Sequence, residues 1–285
     1  MNPQLNLKLT NTCLINDPRL ETISNLAVAA LINEAELTPK PGLVDKNSNG
    51  SHSDMNIELM LRSANSLRST FYNMAKVSYR KHPSETLLNS LAAIGLNGER
   101  LMFAATSGVN THKGAIWSIG LLSSAASICD TDNSPGHIAE IAGKLARFKQ
   151  KSPENYKTNG TQVKKIYGAS GAVGEAQKDF INVIKFALPV VQNERKAKIP
   201  ENMARLDALM ALMANVNDTC ILSRGGNEAL QIEKNGANKV LQYGGAYTND
   251  GFEELLRLNK KLINLNVSPG GCADLLAATL FLDSI

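Results

Sequence analysis

The chain has 285 residues, with 30 Lys and Arg against 26 Asp and Glu for a formal charge of +4, and 43% hydrophobic but only 5% aromatic residues. A chain of this length can bury a large core in one or two domains. Its ordinary glycine and proline content excludes collagen-like and broadly disordered classes. So small a charge excess excludes an overall nucleic-acid footprint and leaves room only for a local basic cluster facing an anionic ligand.

Apolar residues recur at helical spacing almost throughout, and alternating strand patterns are scarce. The expected fold is all-α: a single large multi-helix globular domain over 1–285, with residues 1–16 as a loosely ordered arm. Asp17-Pro18 starts a helix to about Leu37, whose buried face carries Leu20, Ile23, Ala27, Ala30 and Leu31. Thr38-Pro39-Lys40-Pro41-Gly42 ends it, since proline blocks helix continuation. A polar loop follows to Ser53, with Ser53 or Asp54 as the next cap and a second helix to about Arg80. Ser84 caps a third helix to about Thr106. After Gly108–His112 comes the most apolar helix, Lys113–Ile128, capped on an ordinary reading by Asn110 or Thr111. Its apolar stretch falls short of the roughly 18–20 residues of a membrane span. Further helices are expected near 135–150, 171–187, 202–216, 226–240, 249–265 and 272–283. The polar stretch 151–167 reads as a mobile surface segment, and Leu188–Val191 offers a hint of strand.

Cys13, Cys129, Cys220 and Cys272 show no C-x-x-C spacing, so neither a disulfide framework nor a thiolate zinc site is expected. The polar first residues contain no signal-peptide apolar run. A reducing cytoplasm is the expected compartment, with neither a membrane nor a nucleic acid as partner.

Polar and glycine-rich residues concentrate at the helix junctions, where free backbone N–H groups bind anions. One cluster brings Glu34, Lys40, Asp45, His52 and Asp54 into a single interhelical loop, with prolines directing Lys40. The segment Gly108–Gly114 sets Asn110, Thr111, His112, Lys113 and Gly114 at a helix start and forms a candidate phosphate cradle, although it is no Walker A loop. Glycines three apart, Gly168 to Gly174, precede Glu175. Glu175 and Asp179 would share a helical face and bind a cation or repel. Asp218 and Thr219 precede Arg224-Gly225-Gly226, where an arginine fork suits phosphate. Ser268-Pro269-Gly270-Gly271 opens a last helix on which Asp274 is the one acid in an apolar run. Basic groups beside carboxylates are what a polyphosphate with Mg²⁺ requires, because hard cations prefer oxygen ligands. No H-E-x-x-H, EF-hand or G-x-S-x-G pattern is present.

These clusters, taken in order, resemble the triphosphoribosyl-dephospho-CoA synthase family from about Leu26 to Asp283. The matching segments are E-x-E-L-T-P-K-P-G-L-V-D (Glu34–Asp45), G-V-N-T-H-K-G-A-I (Gly108–Ile116), G-E-A (Gly174–Ala176), D-T-C-x-L-x-R-G-G (Asp218–Gly226) and S-P-G-G-x-A-D-L-L-A (Ser268–Ala277). The L-D-A-L-M-A run before Asp218 and the final A-A-T-L-F-L-D look most like the malonate decarboxylase branch, with the citrate lyase branch as its sister. The chain departs from the family at Val173, where members often carry Arg before G-E-A.

The resemblance implies that ATP donates its 5-triphosphoribosyl group to the ribose 2′-hydroxyl of 3′-dephospho-CoA and that adenine leaves. The product is then the prosthetic-group precursor of an acyl-carrier subunit. That subunit and its prosthetic-group transferase become indirect partners, and a homodimer remains an open option. Ribosyl transfer develops oxocarbenium-like charge, which a carboxylate near C1′ stabilises, and a second carboxylate is the candidate base for the attacking 2′-hydroxyl. Catalytic roles are assigned on this basis to Glu34, Asp45, Asp218 and His112. Lys40, Asn110, Thr111, Lys113, Gly114, Arg224, Gly225, Gly226, Ser268, Gly270 and Gly271 are assigned to phosphate and substrate, and Asp54, Glu175 and Asp274 to Mg²⁺. Which acid takes which role is left open by the motifs. A Mg²⁺-dependent hydrolase of nucleotide or ADP-ribosyl bonds would use similar parts, and a non-catalytic scaffold for a carrier protein would instead need an exposed basic stripe.

Overall fold

The computed structural model describes residues 17–129, 132–149 and 159–285. Every regular element among the described residues is helical. The helices are α1 (Pro18–Glu36), α2 (Ile57–Ser66), α3 (Arg68–Ser78), α4 (Glu85–Ala105), α5 (Lys113–Ile128), α6 (Pro135–Ala146), α7 (Asn159–Tyr167), α8 (Gly171–Gln177), α9 (Leu188–Lys196), α10 (Glu201–Asn215), α11 (Thr219–Gln242), α12 (Asn249–Asn264) and α13 (Gly270–Ser284).

Two helices form the centre because their apolar residues run round the whole circumference. Along α5 every residue from Ile119 to Ser127 is buried, and α13 is buried without a break from Leu275 to Leu282. A helix apolar on all sides has no solvent face and must be enclosed. The packing follows: α5 lies against α1, α3, α4, α6, α8 and α13, while α13 also meets α1 and α10. Outer helices carry one apolar stripe each, as α12 does with Leu255, Leu258 and Leu262. One continuous core runs from Leu20 to Leu282. Each fully buried Leu or Phe in it contributes about 1.5–3 kcal/mol relative to exposure.

The helix starts follow local chemistry. The Asp17 side chain accepts the Arg19 N–H at 2.9 Å ahead of Pro18, and Ser84 caps α4 through Leu87 N at 3.2 Å. Several boundaries differ from those expected. The second helix begins later, with Asn56 rather than Ser53 or Asp54 accepting from Leu59 N at 2.9 Å. It is also divided at Leu67, a fully buried residue between α2 and α3. Neither Asn110 nor Thr111 caps α5; His112 holds that position without a side-chain capping bond. The helix expected over 171–187 stops at Gln177, because Asp179 and Phe180 adopt left-handed backbone conformations (φ 56° and 53°). The chain then turns helical again and passes through a π-helical turn, Val183–Ala187, into α9, so the strand hint at Leu188–Val191 is helix. The helix expected from 226 starts at Thr219 and kinks at Gly226 (φ 63°). In the stretch expected to be mobile, Asn159–Tyr167 is α7 and residues 150–158 lie outside the described residues, as do residues 1–16.

Candidate active site

A cavity of about 1060 Å³ opens where the N-terminal ends of α5, α8, α11 and α13 converge, with α4 and the loop after α1 completing the wall. Helix N-termini present unpaired N–H groups and a partial positive charge, so their convergence favours an anion. Lys113, Lys164, Lys178 and Arg224 reach the same cavity, as do the carboxyl groups of Glu34, Glu99, Glu175, Asp218 and Asp274.

Asp218 joins two of these helix ends. One of its oxygens accepts Cys220 N at 2.7 Å and Ile221 N at 3.3 Å, capping α11, while the other accepts Cys272 N at 2.8 Å, on α13. Burial raises its pKa against the opposing effect of these N–H donors. Gly271 leaves room for this clasp, since a Cβ there would stand 3.0 Å from the Asp218 oxygen. Across the cavity Asp274 accepts the Ala115 N–H at the start of α5. Its carboxyl is pushed well above the ordinary range by burial and by the neighbouring Glu34 and Asp218 carboxylates. Gly114 is required there, because a Cβ would overlap the Asp274 carboxylate.

Glu34 and Lys40 form a buried ion pair. Lys40 is only 1% exposed, and its ammonium donates to the Glu34 carboxylate and, at 2.7 Å, to the Glu34 carbonyl. Asp45 holds the turn that directs Lys40. Its carboxylate accepts Lys40 N at 2.9 Å, Asn47 N at 2.8 Å and Ser48 N at 2.9 Å, and it does not line the cavity. His112 bonds through Nδ1 to Ser63 Oγ at 2.7 Å, and that hydroxyl meets Thr111 Oγ1 at 2.6 Å. Burial and the nearby Lys40 ammonium lower the His112 pKa to about 3, so the ring is neutral at physiological pH. Its Nε2 is buried without a partner.

The remaining expected residues divide. Lys113 lies 3.0 Å from Glu99 in the cavity wall, and Asn110, Thr111, Ser268, Gly270, Gly271 and Arg224 line it. Gly225 and Gly226 do not: Gly225 permits close approach of Val267, and Gly226 makes the kink. The three acids assigned to Mg²⁺ do not gather. Asp54 is exposed and off the cavity wall, and the helix after it begins only at Ile57. Glu175 lines the cavity, its carboxylate accepting Asn182 N at 2.8 Å and Asn182 Nδ2 at 2.6 Å. Asp179 does not share its face, lying past the end of α8 and bonding Arg147 at 2.7 Å.

Sequence reasoning missed Glu233 and Glu99. The buried Glu233 lies behind Asp218 and Cys272, with ligand atoms of the three within 4.8 Å of one another. Its signal is positional: Glu233 falls on the stripe of Ala229, Leu230, Gly236, Ala237 and Val240, all of which are buried. Glu99 sits two turns along α4 from the cavity-lining Ala92.

The ATP:dephospho-CoA triphosphoribosyl transferase family model matches residues 20–285. A probable 2-(5''-triphosphoribosyl)-3'-dephosphocoenzyme-A synthase of Pseudomonas syringae pv. tomato is 46% identical over 93% of this chain and 91% of its own length. The synthase of that name from Klebsiella pneumoniae is 43% identical over 94% of this chain and 96% of its own. A probable synthase of Stutzerimonas stutzeri is 45% identical over 93% and 92%. No solved structure matches. With the match running from the first turn of α1 to the last residue, across all the walls of the cavity, the chain belongs to the ATP:dephospho-CoA triphosphoribosyl transferase family.

Proposed function

We propose that the chain transfers the 5-triphosphoribosyl group of ATP to the 2′-hydroxyl of 3′-dephospho-CoA and releases adenine. The observation that carries this is the cavity itself: several helix N-termini, lysines and an arginine for phosphates meet buried carboxylates in one space. Its size, about 1060 Å³, is at the upper end for small-molecule sites and suits two large nucleotides.

In this reading Lys113, Arg224 and the Gly270-Gly271 start of α13 hold phosphates. Asp218, fixed by three N–H donors, supplies a stationary negative charge against the oxocarbenium-like C1′. The O2′–C1′ bond forms as the C1′–N9 bond breaks; the acceptor hydroxyl proton passes to Glu34, which Lys40 holds in place, and from there through solvent to the departing adenine nitrogen. The neutral His112 ring offers an N–H to the departing adenine. Burial and the neighbouring Glu34 and Asp218 carboxylates raise the Asp274 pKa; such a gathering of oxygen donors suits a hard cation, and Asp274 is the residue proposed to hold Mg²⁺. Bound there, the ion would neutralise phosphate charge. Glu175 is retained as a second oxygen donor, while Asp54 is set aside.

The product serves the acyl-carrier subunit of malonate decarboxylase in this proposal, on the strength of the L-D-A-L-M-A and A-A-T-L-F-L-D runs, and the protein works in the cytoplasm. No helix among the described residues is long and apolar enough to cross a membrane. The test is adenine release from Mg-ATP with and without 3′-dephospho-CoA, with the CoA product followed by mass spectrometry. Stoichiometric adenine with a triphosphoribosyl mass gain supports the transfer. Adenine without that adduct identifies a hydrolase instead.

A further inference from the structure

The cavity changes character along α5. Lys113 and Gly114 stand at its charged end, next to Glu99 and Asp274. Two turns further on, about 12 Å by helical rise, the wall is Leu121. Between them lies Trp117, the one tryptophan of the chain. Helix α4 runs the other way alongside. Glu99 pairs with Lys113, whereas Gly95 faces Met74 and Ile116, and Leu91 lies a further turn back. Gly95 and Gly120 both leave room for the Met74 side chain, which fills the floor of this end. Val173 and Ile181, each 47% exposed, add apolar surface to the lining. Within this apolar end one buried polar atom has no partner: the Trp117 indole N–H. An unsatisfied buried donor costs stability until an acceptor reaches it.

We infer that the apolar end of the cavity is the subsite for the pantetheine arm of the acceptor. This rests on the reaction proposed above, and chemistry selects the occupant. Donor and acceptor share an adenosine and a polyphosphate, and both riboses must meet at the bond being formed. Each adenine is then within one bond of a ribose at the charged end. Only the pantetheine arm extends past the phosphates, and it is uncharged, with amide carbonyls and a branched aliphatic segment. Met74, Leu91, Leu96 and Leu121 receive the aliphatic segment, and a carbonyl of the arm takes the Trp117 N–H once the indole turns toward the cavity it lines. An adenine ring would need several edge partners that these side chains lack.

The single tryptophan is also the probe. Its emission is titrated with 3′-dephospho-CoA, ADP and ATP, each alone. ADP is the acceptor without its pantetheine arm and carries the same adenine chromophore, so light absorption by the ligand is matched. The expected result is an emission shift with dephospho-CoA and none with ADP or ATP. In kinetics, Trp117→Phe keeps one aromatic ring and removes the indole N–H. It should raise KM for dephospho-CoA about 2–10-fold, the fold-change for the net worth of one hydrogen bond, with KM for ATP and the melting temperature unchanged. Leu96→Gln, at a side chain already 36% exposed, should act in the same direction without unfolding the chain. Equal shifts with ADP and dephospho-CoA would assign the apolar end to adenine and overturn the inference. So would adenine release and CoA adduct formation with emission unmoved, which would leave the reaction standing. An emission shift specific to dephospho-CoA without adenine release would refute the reaction and leave the subsite.

Discussion

Replacing Lys40 by Met removes the ammonium that faces the Glu34 carboxylate and carbonyl and leaves a carboxylate enclosed without its counter-ion. Both side chains are at most 4% exposed, so water cannot take the place of the missing partner. Breaking a buried pair from one side costs about 3–5 kcal/mol. In a chain of this size that lowers the melting temperature by about 6–10 °C. Glu34→Gln leaves Lys40 with the Glu34 carbonyl and an amide oxygen and should cost about 1–3 kcal/mol. The double variant carries no buried charge at this position, so its loss should be smaller than that of Lys40→Met alone. The assay is thermal unfolding of the four proteins without ligand, together with adenine release. Stability should recover in the double variant while turnover does not, because the proposed base is gone. Losses that simply add, or a Lys40→Met cost below about 1 kcal/mol, would refute the pair and return the Lys40 ammonium to the phosphates.

Three further outcomes are expected. Gly114→Ala improves helix propensity by about 1 kcal/mol yet forces the Asp274 carboxylate aside, so turnover should fall at least about tenfold while stability holds. A parallel loss of both would argue against a site role for Asp274. Lys113→Ala and Arg224→Ala should each raise KM for ATP or lower kcat, and unchanged kinetics would remove that residue from the phosphate site. Far from the cavity, burial and the adjoining Asp207 carboxylate push the Glu194 carboxyl up to about 8. Its folded pKa lies above its unfolded one, so the stabilisation is complete below about pH 4.5 and is lost as pH rises through about 8. Glu194→Gln should therefore flatten the fall in melting temperature expected of the unaltered protein between about pH 4.5 and 8, and parallel curves would count against the raised Glu194 carboxyl.

The start of α1 and both ends of α5 are legible in the sequence because their signals are local: Asp17 before a proline, and a change from polar loop to unbroken apolar run. The break at Leu67 is not, since no glycine or proline marks it and the residue is set by burial between α2 and α3. Glycines 225 and 226 read as a turn with a helix beginning at about 226, yet the helix already starts at Thr219 and carries on past one left-handed residue. In the site the same division holds. Junction motifs picked out Lys113, Arg224, Asp218, Asp274 and the Gly270-Gly271 start, all of which line the cavity, because glycine- and charge-rich helix starts are recognisable by composition. Motif membership alone could not say where a carboxylate points. Asp45 belongs to the same motif as Glu34 but spends both oxygens on backbone N–H groups, and Asp54 lies beyond the cavity wall.

The Asp218 clasp has a mechanical consequence. One carboxylate fixes the gap between the helix that carries Arg224 and the helix that begins at Gly270. Neither end can shift without drawing the other along, so these two sides of the cavity behave as one jaw. An amide in place of that carboxylate would turn an N–H donor toward another N–H donor, and the jaw would lose its alignment together with its charge. The spacing of these two helix starts is thus set by a single side chain of fixed length.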